Sequence, residues 1–564
     1  MDMQNLVRAA ALRTLLLLTG LSFNALCCAA PAPDSLQTAQ ADITAKHFQD
    51  ALPLLDGLLK TDPKNGRALI ALGTAHQGLG QTDAAADAYR QAYALPASAR
   101  PAATALFLLY AGAKRADDAF LWFEIMHKGA MGDLSGLAEN PAVRTLHGDP
   151  RFAMLFPDLI RFEPPFVQPV RIIHEWRGEQ AGDEFGWIAR GIGDVDGDGV
   201  TDVVISATGN PPYGDSHGKL YVYSGKTGKL LWKTVGAPGA LLGISLEAAG
   251  DVDGDGIPDV IVGAPGEDAV YVFSGRDGKQ LRRMAGDPLD HDFGMAAAGI
   301  GDFDHDGVSD LLVGAPSSER HAPGHATGCA YIYSGKTGKV LSVLEGEADG
   351  DSFGSSVSGG QGRYVVGAAM GGTAHHGRLY IYDRLDPKPQ FVEDADSTGN
   401  ALGYMFTSVL GDVDGDGLPD VYATDFGNAA KGPATGRVYV YSGKTGLPIL
   451  TLTGDGAIEG FGIGAARAGD VDHDGHADLV VGSWQYHDAA WSGGRVQVFS
   501  GKDGHVLQDI VGKVPGETLG FDAVAVGDVD GDGMTDYLIT SAWSGVNGLR
   551  SGRVYIVAGT VPAH

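Results

Sequence analysis

From residue 168 to 564 the chain alternates short apolar runs, rich in Val, Ile, Leu and Tyr, with breaks rich in Gly and Asp. Runs of this length between turn residues predict strands. Residues 36–160 follow another period. Small and apolar residues recur there three and four positions apart, which predicts helices. Phe162-Glu163-Pro164-Pro165 and Gln168-Pro169 break the pattern between the two regions. Three segments follow: an export signal over 1–30, a helical domain over 36–160 and a strand-built domain over 168–564.

The strand region is one unit repeated. A Phe-Gly or Leu-Gly pair opens each unit, at Phe185, Leu242, Phe293, Phe353, Leu402, Phe461 and Leu519. An acidic loop follows, then a second strand that twice ends Gly-Ala-Pro (263–265 and 314–316). A variable loop leads to a third strand such as Leu220-Tyr221-Val222-Tyr223. The turn Ser224-Gly225-Lys226-Thr227-Gly228 leads to a fourth, Lys229-Leu230-Leu231-Trp232. The fourth unit keeps its strands, but its acidic loop has shrunk to Gly359-Gly360-Gln361-Gly362-Arg363. Strand three is apolar on both alternating faces, unlike a sheet with one wet side. Four-stranded sheets covered on both faces and repeated in series predict a β-propeller. The fold class is therefore mainly β: a seven-bladed β-propeller preceded by a small α-helical region. The last unit ends at Val554-Tyr555-Ile556-Val557 without a fourth strand, and Val170-Arg171-Ile172-Ile173-His174 aligns with the missing one. Pairing of first segment with last is expected to close the ring.

The acidic loops carry the chemistry. Asp194, Asp196, Asp198 and Asp202 stand at positions 1, 3, 5 and 9 of a tight loop with Gly199 at position 6. The same pattern recurs at Asp251, Asp253, Asp255, Asp259; Asp302, Asp304, Asp306, Asp310; Asp412, Asp414, Asp416, Asp420; Asp470, Asp472, Asp474, Asp478; and Asp528, Asp530, Asp532, Asp536. Alternate residues of a tight turn can point at one centre, and glycine supplies the positive φ that lets the chain double back. All-oxygen donors suit a hard cation, best Ca²⁺ with its 6–8 flexible ligands. Six sites are expected, with the position-seven carbonyl (Val200 in the first) as a further ligand. A helix–loop–helix calcium site needs a bidentate Glu at position 12. Here position 12 is Ile205, Val262, Val313, Ala423, Val481 or Ile539. The loop therefore joins two strands, not two helices.

In their order and spacing these motifs resemble the FG-GAP repeats of the integrin α-subunit head, a seven-bladed calcium-binding propeller. The resemblance covers about 400 residues and implies binding or adhesion rather than catalysis. It departs in having more metal loops than integrins carry. In the helical region Leu72-Gly73, His76, Ala85, Tyr89 and Ala92 stand at the spacing of a tetratricopeptide repeat, and a step of 34 finds Leu106, Tyr110, Ala119 and Phe123. Two repeats and a preceding half fit either a groove for a partner peptide or a helical cap. Repeats of this style point to a prokaryotic relative.

Composition sharpens the picture. Glycine is 85 of 564 residues, about twice the usual ~7%, as a turn-rich β protein requires. The net charge of −29 argues against nucleic acid as a partner. The six loops hold 24 of the 70 acidic residues, and the other 46 against 41 Lys and Arg leave only −5. The acidity is metal site rather than an acidic coat. Arg8, Arg13, Leu15-Leu16-Leu17-Leu18 and the small residues after them read as an export signal, too short for a membrane span. The expected location is the periplasm, the cell surface or the exterior. Cys27 and Cys28 lack the flanks of a good lipidation site. Beyond them only Cys329 remains, so no internal disulfide is expected.

Other chemistry finds no support. Gly225-Lys226-Thr227 and its copies lack the earlier Gly of a phosphate-binding loop and read as hairpin turns. Trp232 reads as packing rather than as part of a quinone site. His321, His325, His375 and His376 read as solvated loop residues. No nucleophile elbow or His-Glu-x-x-His appears. The loops between strands two and three differ in every unit and lie opposite the acidic loops. They carry Tyr213, Trp484, Tyr486, Trp491 and Trp543, residue types that dominate binding hot spots. These aromatics either form a face for a protein or glycan ligand or pack the loops on one another. The reading is an exported calcium-binding module for such a ligand, with the helical repeats as a second docking surface. A polysaccharide-acting lyase on the same scaffold is the alternative.

Overall fold

The structure is a computed structural model and describes residues 35–560 except 130–133, 139, 212 and 321–322. The export signal with Cys27 and Cys28, and His321, lie outside the described residues. The chain divides into two compact units, one of helices ending at Arg161 and one of sheets running on from Phe162.

The helical unit contains α1 (Ser35–Thr44), α2 (Phe48–Thr61), α3 (Gly66–Gly78), α4 (Thr82–Tyr93), α5 (Ala99–Gly112), α6 (Ala116–Lys128) and the short α7 (Pro150–Leu155). Asn65 caps α3 by accepting the Ala68 amide at 3.0 Å, the usual role of Asn at a helix start. Gly73 is needed because a Cβ there would lie 2.4 Å from the Tyr89 ring. Ala85, Tyr89 and Ala92 are buried, and so are Leu106, Tyr110, Ala119 and Phe123, which stand 34 residues beyond Leu72, His76, Ala85 and Tyr89.

The second unit is a seven-bladed propeller. Among the described residues seven four-stranded antiparallel sheets follow one another, with one two-stranded ribbon (Asp290–His291 with Ser317–Ser318). The first blade runs Phe185–Gly193, Asp202–Ala207, Lys219–Tyr223 and Leu230–Val235 in simple meander order. Every second strand of a metal-loop blade, such as Asp259–Ala264, is wholly or almost wholly buried. This is why its apolar residues run on rather than alternate. The fourth blade turns through Gln361-Gly362 between paired Gly360 and Arg363, with no room for an acidic loop.

The glycines that end the second strands and those of the Phe-Gly and Leu-Gly pairs share a cause, close contact between blades. A Cβ on Gly263, at the end of a second strand, would lie 1.9 Å from the carbonyl oxygen of Gly294 in the next blade's Phe-Gly pair. Gly314 meets Gly354, Gly367 meets Gly403 and Gly482 meets Gly520 in the same way, at 2.0–2.1 Å. Gly294 has φ +88°, a conformation that favours glycine. The two glycine motifs are the two halves of one inter-blade contact.

The ring closes as expected, with the strand displaced along the chain. The closing strand is Ile172–Arg177 and pairs antiparallel with Arg553–Val557, placing Trp176 opposite Val554. Trp176 also donates its indole N–H to the Gly228 carbonyl of the first blade at 2.9 Å, and its ring lies 4.8 Å from that of Tyr223. One strand therefore finishes the last blade and fastens it to the first.

Candidate metal centres

Each acidic loop is built the same way. In the first, Gly197 (φ +83°) and Gly199 (φ +86°) turn the chain twice through the left-handed region. His305 and His473 take the place of the first of these glycines in the third and fifth loops, at φ +61° and +60°. The turns aim three amides at the position-one carboxylate: Gly197 N at 2.7 Å and Asp198 N at 3.0 Å on Asp194 Oδ1, and Gly199 N at 2.9 Å on Oδ2. Those amides, Gly199 first, hold the Asp194 carboxyl below its usual pKa.

Positions three and five each give one oxygen to the loop backbone. Asp196 Oδ1 accepts Asp198 N at 3.1 Å, and Asp198 Oδ1 accepts Val200 N at 3.0 Å. Their Oδ2 atoms accept no loop amide. One ligand oxygen each from Asp194, Asp196 and Asp202 lie within 4.8 Å of one another. Similar trios form at Asp251, Asp253, Asp255; Asp302, Asp304, Asp306; Asp412, Asp414, Asp420; and Asp470, Asp472, Asp478, with one further cluster among the described residues. These clusters could hold metal ions, and anionic oxygen donors turned to a common centre fit a hard divalent cation. Asp198, Asp259, Asp310, Asp416 and Asp474 fall outside those five trios, although each belongs to the same loop.

Position nine has a second task that the sequence pattern does not announce. Asp202, Asp259, Asp310, Asp420, Asp478 and Asp536 are all fully buried. Asp202 Oδ2 accepts Val195 N at 2.8 Å, while Oδ1 accepts the Gly225 amide of the turn between strands three and four at 2.9 Å. The other five reach the matching glycines, Gly275, Gly335, Gly443, Gly501 and Gly559, at 2.8–3.2 Å. Each position-nine carboxylate thus ties its loop to the neighbouring turn. Burial pushes these groups up, Asp259 and Asp478 to about 6, and neighbouring loop carboxylates add to the rise. A cation would relieve that repulsion. The repeated Ser-Gly of the turn is the only sequence trace of this tie.

Basic side chains of the same turns lean toward the loops. Lys226 and Lys336 donate to the carbonyls of Asp198 and Asp306 at 2.9 and 2.7 Å. Arg276 donates to Asp255 Oδ2 at 2.8 Å. The Gly-Lys-Thr segments are hairpin turns, and Trp232 donates to the Gly275 carbonyl at 2.7 Å as a packing residue.

At the other end of the blades the aromatics divide. Trp484 and Trp543 are 1% exposed and meet edge to face at 4.6 Å, with Phe521 against both. Trp491 is buried as well. Burial of these three tryptophans matches the second of the two readings of the aromatics, packing of the loops on one another, and leaves them out of reach of a ligand in this structure. Large rings on loops of a narrow ring find apolar neighbours, which gain more from burial than from waiting in water. Tyr213 is 39% exposed, over the Arg550 guanidinium at 4.3 Å, and half-buried Tyr486 lies over Arg495 at 4.0 Å. The same two arginines form buried ion pairs, Arg495 with Glu459 at 2.7 Å and Arg550 with Glu184 at 3.2 Å. His325 is exposed and lies 3.4 Å from Asp349.

Comparison with known proteins agrees with this geometry. The description FG-GAP-like repeat matches residues 194–262, 251–313 and 412–481, and Tetratricopeptide repeat matches 43–92. The chain carries both kinds of repeat. It is 39% identical over 169 residues to Integrin alpha-PS5 of Drosophila melanogaster (27% of this chain, 17% of that protein). It is 35% identical over 172 residues to human Integrin alpha-X (26% and 14%). Integrin alpha-5 of Xenopus laevis is 28% identical over 240 residues (38% and 22%). The chain thus spans less than a quarter of the length of these curated relatives. No helix of the described residues is long and apolar enough to cross a membrane.

Proposed function

We propose that the chain is an exported propeller that binds one Ca²⁺ in each of its six acidic loops and captures a protein or glycan on the opposite loop face. The observation that carries this reading is the six-fold recurrence of one loop, in which three carboxylates of each of the five clusters named above bring ligand oxygens within 4.8 Å of one another. Positions 1, 3, 5 and 9 and the position-seven carbonyl would hold the ion. The ion would supply charge neutralisation and a cross-link between strands, not a reaction. Sites of extracellular type, with Kd of roughly 10⁻⁴–10⁻³ M, would each add about 0.4–1.4 kcal/mol at ~1 mM calcium. In a propeller without disulfides, six such sites approach the stability of a typical domain, ~5–15 kcal/mol.

On the capture face, Tyr213 and Tyr486 are the aromatics left in reach of a ligand, each backed by an arginine. The helical repeats offer a second surface for a protein partner. Native mass spectrometry at millimolar calcium tests the metal reading: six ions are expected, and two or fewer would overturn it. Pull-down from envelope and culture fractions with wild type and Tyr213→Ala/Tyr486→Ala tests the face. Capture lost with six ions retained supports it, and unchanged capture moves the site elsewhere.

A further inference from the structure

The six loops are alike in sequence but not in their surroundings. In the seventh blade the strand three-to-four turn is split between the two ends of the propeller domain. Thr560 falls where Lys226, Arg276, Lys336, Lys444 and Lys502 stand in the other metal-loop blades. The cation comes instead from Arg171, one residue before the closing strand, whose carbonyl accepts the Ala558 amide at 2.9 Å. Its guanidinium pairs with Oδ2 of Asp530 and, at 2.9 Å, with Oδ2 of Asp532.

Those two oxygens are the ones a metal would use. Oδ1 of Asp530 is occupied by the Asp532 amide at 3.2 Å, and Oδ1 of Asp532 by the Met534 amide at 3.0 Å. Among the described residues no other loop has both free oxygens taken by one cation. Arg276 touches one carboxylate, Asp255, at 2.8 Å, Lys502 stands 3.6 Å from Asp474, and Lys226 and Lys336 reach only carbonyls.

We propose that Arg171 is a built-in counter-ion of the seventh-blade loop, which makes the Asp528–Asp536 site the weakest of the six and the last to fill. The inference rests on the calcium reading of the loops and concerns how they differ. A cation entering this loop must first displace the guanidinium from Asp530 and Asp532, a cost that the other five sites do not meet in full. The exchange is reciprocal: calcium here weakens the hold of Arg171 on the loop, and that hold weakens calcium. Because Arg171 arrives with the closing strand, the loop is neutralised when the ring closes even where calcium is scarce. The ring can then shut without a bound ion at its seam.

The test is stepwise calcium titration of the full chain followed by native mass spectrometry and calorimetry, on wild type, Arg171→Gln and Asp528→Ala. Wild type should fill five sites and then a sixth with affinity lower by roughly five-fold or more, the scale of one or two exposed ion pairs. In Arg171→Gln the sixth step should merge with the others. Asp528→Ala should stop at five ions and lose only the late step, which assigns that step to this loop. Circular dichroism at high calcium confirms that each variant is folded, and Arg171→Lys should restore part of the delay. Six equal steps in wild type, or a late step unchanged in Arg171→Gln, would overturn the proposal while leaving the calcium reading intact. Failure of every loop to take calcium would overturn both.

Discussion

At the scale of single residues, the glycines are the least replaceable part of the propeller. Gly294 has φ +88°, and a Cβ on it would stand 2.6 Å from the Ala269 carbonyl and 2.9 Å from Val270. Gly294→Ala combines backbone strain of about 1–3 kcal/mol with overpacking of similar size. It should lower stability by roughly 2–5 kcal/mol in urea unfolding, whereas Gly417→Ala, with open space around its Cβ but φ +88°, should show the strain alone. Asp425 gives a second prediction. It is fully buried, accepts the Asn400 and Ala401 amides at 3.0 and 3.2 Å, and burial pushes its carboxyl up to about 6. Unfolded aspartate titrates near ~3.9. Between those values the native state holds a proton that the unfolded state has lost. Its contribution to stability is therefore full below pH ~4 and falls as pH rises toward 6, by up to about 1.4 kcal/mol per unit. Metal-free protein carrying Asp425→Asn should lose that share of the slope in unfolding measured from pH 4 to 7. An unchanged slope would remove Asp425 from the titration.

At the scale of the element, the acidic loop is a cap and a clamp before it is a metal site. Asp196 gives one oxygen to the loop and keeps one for an ion, while Asp202 bonds amides on two sides of the blade. Asp196→Ala should remove one calcium and leave the metal-free melting temperature near wild type. Asp202→Ala should remove the same calcium and also strand buried amides of Val195 and Gly225. That costs roughly 2–4 kcal/mol with or without calcium, since a buried donor left unpaired costs about 1–3 kcal/mol. Melting curves of both variants in chelator separate the roles. Equal curves would reduce Asp202 to a ligand.

At the scale of the whole molecule, stability depends on one seam. Six blades complete themselves from consecutive chain, but the seventh borrows Ile172–Arg177 from the start of the propeller domain. That borrowed strand covers what would otherwise be an exposed sheet edge, which invites aggregation. Trp176 is its anchor, 9% exposed and bonded across the seam to Gly228. Trp176→Ala should cost roughly 3–5 kcal/mol, as for other buried aromatics. The same change at Trp232, which makes a similar bond between the first two blades, should cost a similar amount but open no seam. Only the Trp176 variant should expose the 165–177 segment to limited proteolysis.

The repeat count, the strand order within each blade, the six acidic loops and the need for a borrowed strand can all be read along the chain. All of these are local patterns or arithmetic on their spacing. The sequence also marked the paired helices, because Leu72, Ala85 and Tyr89 recur 34 residues on as Leu106, Ala119 and Phe123. Contacts between residues far apart in the chain emerge only once the blades are assembled. The tie from Asp202 to Gly225 and the pairing of Gly263 with Gly294 join different strands and blades. Burial of Trp484 and Trp543 against Phe521 depends on where the ring brings three loops together, and a hydrophobic residue on a variable loop carries no sign of which way it faces. Arg171 lies 359 and 361 positions before the two aspartates that it neutralises. Closing a ring makes the ends of a chain neighbours, and no local pattern records that.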